Sequence, residues 1–148
     1  MSVYQPATLA VGRGYFSTMG VPLTAGREFG DDGSAAEVIV NQPLARLHWP
    51  DGRGLGETLS IGEGDRAATV TVVGITAPTR TRDLVREGPT LYVPLGRTVY
   101  EGGLSVVART ETPERLVRPL QDAAQALNSD VALTTVKTMR ERMAVQLW

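Results

Sequence analysis

Few residues of this chain could carry out chemistry. His48 is its single histidine, and cysteine is absent, so thiolate catalysis, disulfides and cysteine-held metals are excluded. A catalytic triad would need His48 between a nucleophile and a carboxylate, yet no G-x-S-x-G elbow occurs. A zinc ion on His48 would have to draw its other ligands from carboxylates, an uncommon donor set. Beside Leu47 and Trp49, the imidazole reads as a packed or half-exposed helix residue. Asp31, Asp32 and Asp65 could be paired carboxylates, but each stands in a glycine-rich turn, where aspartate serves the backbone. The glycines of "DGRGLGETLSIGEGD" (Asp51 to Asp65) invite a phosphate cradle. Their spacing is not G-x-G-x-x-G, no Gly-Lys-Ser/Thr occurs, and Trp-Pro precedes them, so hairpin turns are expected. The remaining candidate is "RTRDLVRE". Arg80, Arg82, Asp83 and Arg86 read as a solvated loop with partner-contact potential, because loops on rigid scaffolds carry interactions. No catalytic, cofactor-binding or metal-binding residue is assigned, and no cofactor is expected.

The elements that must position these residues follow from pattern. "ATLAVG" (Ala7 to Gly12) is a short strand. Tyr15, Phe16 and Met19 recur at helical spacing, and Gly20 can close that turn in the left-handed region. "VPLTAG" is extended, and Gly26 marks a turn. "DDGS" (Asp31 to Ser34) is a loop. "EVIVN" (Glu37 to Asn41) has buried-strand character, and Pro43 opens a short helix capped by Gln42 or Asn41 and stopped by Pro50. "ETLSI" alternates like a strand. "ATVTVVGIT" (Ala68 to Thr76) is the strongest strand, with Val70, Val72 and Gly74 on one face and Thr69, Thr71, Val73 and Ile75 on the other. "TLYVPL" follows, with Pro94 confining it to an edge or a strand end. "LSVVART" (Leu104 to Thr110) is another strand. Thr112 and Pro113 start a helix striped by Leu116, Leu120, Ala123, Ala124 and Leu127, with Pro119 expected to kink it. "VALTTVKT" (Val131 to Thr138) is a strand, and Thr138 with Glu141 forms a capping box for a last helix carrying Met139, Met143 and Leu147. The expected fold is α+β: a mixed sheet with short helices and a C-terminal βαβ unit.

Composition sets the class. The chain has 148 residues, 42% hydrophobic and 21% charged, which suits one domain with a packed core. A net charge of -1 argues against a nucleic-acid partner. Arginine supplies the positive charge, apart from Lys137. No apolar run reaches the ~18 residues a membrane helix needs, and the first residues lack a signal peptide's basic and apolar regions. With no catalytic constellation, an interaction or force-transmitting module is the better class.

Taken in order, "GYFSTMGVPLTAGREF", "VIVNQPLARLHWPDGRGLGETL", "VTVVGIT" and "LYVPLG" resemble the extracytoplasmic core domain of MacB-type ABC transporter permeases, FtsX-like proteins, and most closely the duplicated-permease branch. Gly14, Tyr15, Phe16, Gly20, Pro22, Leu23, Gly26, Arg27, Phe29, Val40, Asn41, Ala45, Arg46, Trp49, Pro50, Leu55 and Gly56 occupy the motif positions. The likeness continues through "TPERLVRPLQDAAQALNSDVALTTVKTMRERM" and covers nearly the whole chain. Two positions depart from it: Gly54 stands where the family has proline, and Ile75 to Pro78 lack the usual aspartate. The resemblance implies a single, partial core domain over residues 1–148, tethered to the extracytoplasmic (periplasmic) face of the cytoplasmic membrane. Its implied partners are the rest of the permease, an ATPase subunit that binds the ATP, and a periplasmic adaptor protein. It also implies a missing strand–helix–strand segment, which leads to an expectation that the chain self-associates through its C-terminal unit. The alternative is a small-molecule or lipid-binding extracytoplasmic module on the same fold. On this reading Tyr15, Phe16 and Met19 are scaffold, and Arg27 satisfies nearby carbonyls or a turn carboxylate.

Overall fold

The structure is a computed structural model; it describes residues 6–30, 36–62, 64–78, 88–96, 104–127 and 135–141. The chain divides into two compact units, Met1–Val107 and Ala108–Trp148. In the first, strands β1 (Ala7–Val11), β2 (Leu23–Gly26), β3 (Glu37–Asn41), β4 (Thr58–Ile61), β5 (Ala68–Thr76) and β6 (Thr90–Pro94) form one mixed sheet. The order is β1-β6-β3-β5-β2, with β4 paired to β5. β1 runs parallel to β6 and β3 parallel to β5, while the β3–β6, β2–β5 and β4–β5 pairs are antiparallel. Short helices α1 (Tyr15–Met19) and α2 (Gln42–His48) accompany the sheet. The expected α+β fold with a mixed sheet is what the chain adopts.

Alternation along the central strands divides the core into two faces. Val38, Val40, Val70, Val72, Ile75, Leu91 and Val93 pack with Leu44 and Ala45 of α2 on one face. Ile39, Tyr92 and Val11 pack with Phe16 of α1 on the other. A sheet covered on both faces explains why β3 and β6 read as continuous apolar runs. β6 lies between β1 and β3, so Pro94 marks a strand end rather than an edge. One expectation fails on β5. A bulge at Val73 lets Val38 face Val72 while Ile39 faces Gly74. The extra residue reverses the parity. Ile75 therefore joins Val70 and Val72, and Gly74 faces the Phe16 side against Ile39 and Leu23.

α1 is short and closed from both ends. Gly14 precedes it at φ 74° and Gly20 follows it at φ 69°, both left-handed. The Gly20 N–H donates to the Ser17 carbonyl and the Val21 N–H to that of Phe16, a Schellman closure. Asn41, not Gln42, caps α2: its side chain accepts the Leu44 N–H, with Pro43 in the first turn.

The second unit holds α3 (Pro113–Leu127), which begins at Pro113 as its sequence predicts and runs through Pro119. The Thr138–Glu141 capping box is formed, with the Glu141 carboxylate accepting from the Thr138 N–H at 2.7 Å and the Glu141 N–H donating to Thr138 Oγ1 at 3.2 Å. The Thr138 N–H, and with it the Thr138 hydroxyl donating to the same carboxylate at 3.0 Å, hold the Glu141 carboxyl below its ordinary pKa. Of the expected βαβ unit, the described residues show the helix. Residues 104–110 and 135–138 make no ladder, and 128–134 lie outside the described residues. Alternation gives a segment two faces but no partner. Leu104 and Val106 are accordingly 67% and 74% exposed.

Candidate partner interface at one end of the sheet

The partner-contact residues Arg80, Arg82, Asp83 and Arg86 lie outside the described residues, as do Asp31 and Asp32. What the structure describes is the base from which the arginine-bearing connection springs. β5 ends at Thr76 and β6 begins at Thr90, so residues 77–89 join two strands of the sheet. Asn41 ends β3 in register with Thr76. The buried polar side chains among the described residues are Asn41, Thr76 and Thr90, all fully enclosed and all at this end.

Each of these side chains is satisfied by backbone. Asn41 Oδ1 accepts from the Leu44 N–H at 3.1 Å and the Thr90 N–H at 2.9 Å. Asn41 Nδ2 donates to the Gly88 carbonyl at 2.8 Å. The Thr90 hydroxyl donates to the same carbonyl at 3.1 Å, and the Thr76 hydroxyl donates to that of Ala77 at 3.0 Å. Outside them, the Ala77 N–H donates to Pro22 and the Ala7 N–H to Pro89. Both roots of the connection are thus fixed by groups that would be costly to leave unpaired. In the sequence Asn41 shows as one of two possible caps and as a motif position. The N-Q-P pattern signals a capped helix, but partners 47 and 49 positions away leave no local trace.

The other candidates resolve into scaffold. His48 is exposed, its ring 5.6 Å from that of Trp49. Gly54 is buried beneath Trp49, where an added Cβ would come within 2.9 Å of Cε3, and Gly52 and Gly56 take left-handed turns. Asp51 accepts the Arg53 side chain at 2.8 Å. Arg27 reaches the Glu28 carbonyl at 3.0 Å, an expected acceptor, and its carboxylate partner is Glu37 of strand β3 rather than a turn residue, in a two-pronged contact. Tyr15 and Phe16 pack in the core: Phe16 meets Tyr92 and Tyr15 edge-to-face at 5.0 and 5.4 Å, and burial pushes the Tyr15 phenol up. No group of three or more His, Asp or Glu able to hold a metal occurs among the described residues. Among them, no helix is long and apolar enough to cross a membrane.

The fold has solved counterparts. The periplasmic region of MacB from Actinobacillus actinomycetemcomitans superposes with a TM-score of 0.58 at 17% identity, covering 84% of this chain and 58% of that one. A domain of a permease-type protein from Porphyromonas gingivalis gives 0.57 at 18% identity, covering 97% and 73%. The chain therefore spans under two thirds of the MacB region that it resembles. No curated protein matches the sequence. The family model for the MacB-like periplasmic core domain, a part of ABC transporter permeases, matches residues 2–138. With nearly the whole chain inside that match, this protein belongs to the MacB-like periplasmic core domain family.

Proposed function

We propose that this domain is a non-catalytic contact module of an ABC-type permease. It couples movement of the permease's membrane helices to the handling of a partner or substrate outside the membrane. ATP is bound and hydrolysed on a separate ATPase subunit, and a periplasmic adaptor protein is the partner that the arginine-bearing connection would meet. The observation behind this reading is the concentration of enclosed polar side chains, Asn41, Thr76 and Thr90, at the two roots of that connection. A contact loop transmits force only if its base does not yield; Asn41 ties the β6 root to the end of β3, and the Ala77 N–H ties the β5 root to Pro22.

The test is charge reversal in the full-length permease reconstituted with its ATPase and adaptor. Arg80→Glu, Arg82→Glu and Arg86→Glu together should leave the domain's thermal melting unchanged while lowering adaptor-stimulated ATP hydrolysis. Unchanged stimulation and adaptor binding in a folded triple variant would remove the connection from the contact.

A further inference from the structure

We propose that Asn41 is a positioning residue: one buried amide locks the Gly88 root of the 77–89 connection to the first turn of α2. The inference rests on the contact role given above to that connection, and it assigns the residue that holds it in place.

The argument begins with what a cap requires. Asn, Asp, Ser and Thr are near-equivalent N-caps, because each offers an oxygen to an orphan helix N–H. Capping α2 uses only Oδ1 of Asn41, through the Leu44 N–H. The same oxygen also accepts the Thr90 N–H at the start of β6, and Nδ2 donates to the Gly88 carbonyl. Asn41 is fully buried, so its amide group has no water to turn to; the bonds to Leu44 and Thr90 are buried, and the Gly88 carbonyl is half-buried. Among the usual caps, asparagine alone supplies an acceptor and a strong donor on one rigid plane. Aspartate would present a carboxylate to the Gly88 carbonyl, and serine is too short to serve both elements. α2 and residues 88–90 meet through this amide, so a displacement of the root is passed to the helix start. The hydrogen-bond partners of Asn41 are all backbone groups, with no titratable side chain among them.

Amide hydrogen exchange on this chain tests the inference through three reporters: the Leu44 N–H for the cap, the Thr90 N–H for the root, and the Ala7 N–H, which donates to Pro89. Asn41→Ser should keep Leu44 protected while exchange at Thr90 and Ala7 quickens by about tenfold, the loss expected when a buried hydrogen bond goes unmade. Asn41→Asp keeps an acceptor for the Leu44 and Thr90 N–H groups but sets a carboxylate against the Gly88 carbonyl, so at neutral pH it is Ala7 that should lose protection. On acidification its buried carboxyl takes up a proton and becomes a donor to Gly88, so protection at Ala7 should return relative to wild type; Asn41→Ser should show no such recovery. If both variants keep Ala7 and Thr90 at wild-type protection, Asn41 is only a helix cap and the proposal fails. If Asn41→Asp does not fold, Asn41→Ser alone decides. Exchange is read without partner or ATPase, so its failure is distinguishable from failure of the contact role, which the arginine reversals test.

Discussion

Replacing Phe16 with alanine tests whether the "GYFSTMG" stretch is scaffold. The ring is 2% exposed and lies among Val11, Ile39 and Tyr92, with Val21, Leu23, Phe29 and Val73 around them. Deleting a buried phenylalanine costs about 3–5 kcal/mol, of which each edge-to-face ring contact supplies about 0.5–1.5 kcal/mol. Relaxation is restricted, because Tyr92 is itself fully buried on a strand paired on both sides. α1 has five residues, too few to persist alone, and Phe16 is its buried side chain. The variant therefore loosens the helix as well as emptying a site. At a urea dependence of about 2 kcal/mol per molar, the midpoint should fall by roughly 2 M. Leu47→Ala, at an exposed position on α2, is the control and should stay within about 0.5 kcal/mol. A Phe16→Ala loss below about 1 kcal/mol would refute the reasoning. Helix α1 would then be peripheral and its aromatics free to serve a partner.

Gly26→Ala should be far more damaging than Gly52→Ala. Both positions have positive φ, but an added Cβ at 26 would sit 2.2 Å from the Val73 carbonyl oxygen while at 52 it meets nothing within 4 Å; thermal melts should show about 1–2 kcal/mol at 52 and failure to fold or a much larger loss at 26. Arg27→Ala should cost no more than about 1 kcal/mol despite its paired geometry, since the arginine side chain is 56% exposed; chemical denaturation with and without added salt checks this. Burial raises the Tyr15 phenol above its ordinary value, so the folded state holds that proton more tightly than the unfolded one. The associated stability is complete below about pH 10 and is lost as pH rises through the folded value; ultraviolet titration beside alkaline melts should place ionisation later in the folded protein.

The parts of the fold legible in the sequence are those whose cause is local. "EVIVN" is a strand within its predicted bounds, because enclosure on both faces demands an unbroken apolar run. Gly20 and Pro43 punctuate helices through their own backbone preferences. The Thr138–Glu141 box needs only a spacing of three. What stayed hidden depends on distant partners. "LSVVART" is as apolar as a buried strand, yet among the described residues only "ETLSI" has a strand, β5, to pair with. The face of Ile75 departs from the sequence pattern because a bulge is set by the neighbouring strand's register and leaves no mark in the alternation. The site divides in the same way: the arginines show in composition, whereas the amide that fixes their base shows only when residues 41 and 88 are brought together.

The bulge also accounts for a second fixed connection. By turning Gly74 toward the Phe16 face, it brings backbone where a side chain would otherwise stand: a Cβ at 74 would lie 2.5 Å from the Arg27 carbonyl oxygen. Gly26 opposite completes the close approach, and the Arg27 N–H donates to Val73 at 3.0 Å. β2 and β3 flank β5, so the Arg27 guanidinium reaches Glu37 across the bulged strand and joins the two ends of residues 28–36. Residues 28–36 and 77–89 are therefore both held at their roots, but by unequal means. An exposed ion pair contributes about 0–1 kcal/mol and weakens with salt. A buried amide whose partners would be left unsatisfied contributes more and does not. The less yielding fastening lies under the connection that carries Arg80, Arg82 and Arg86, where the proposed contact role would need it.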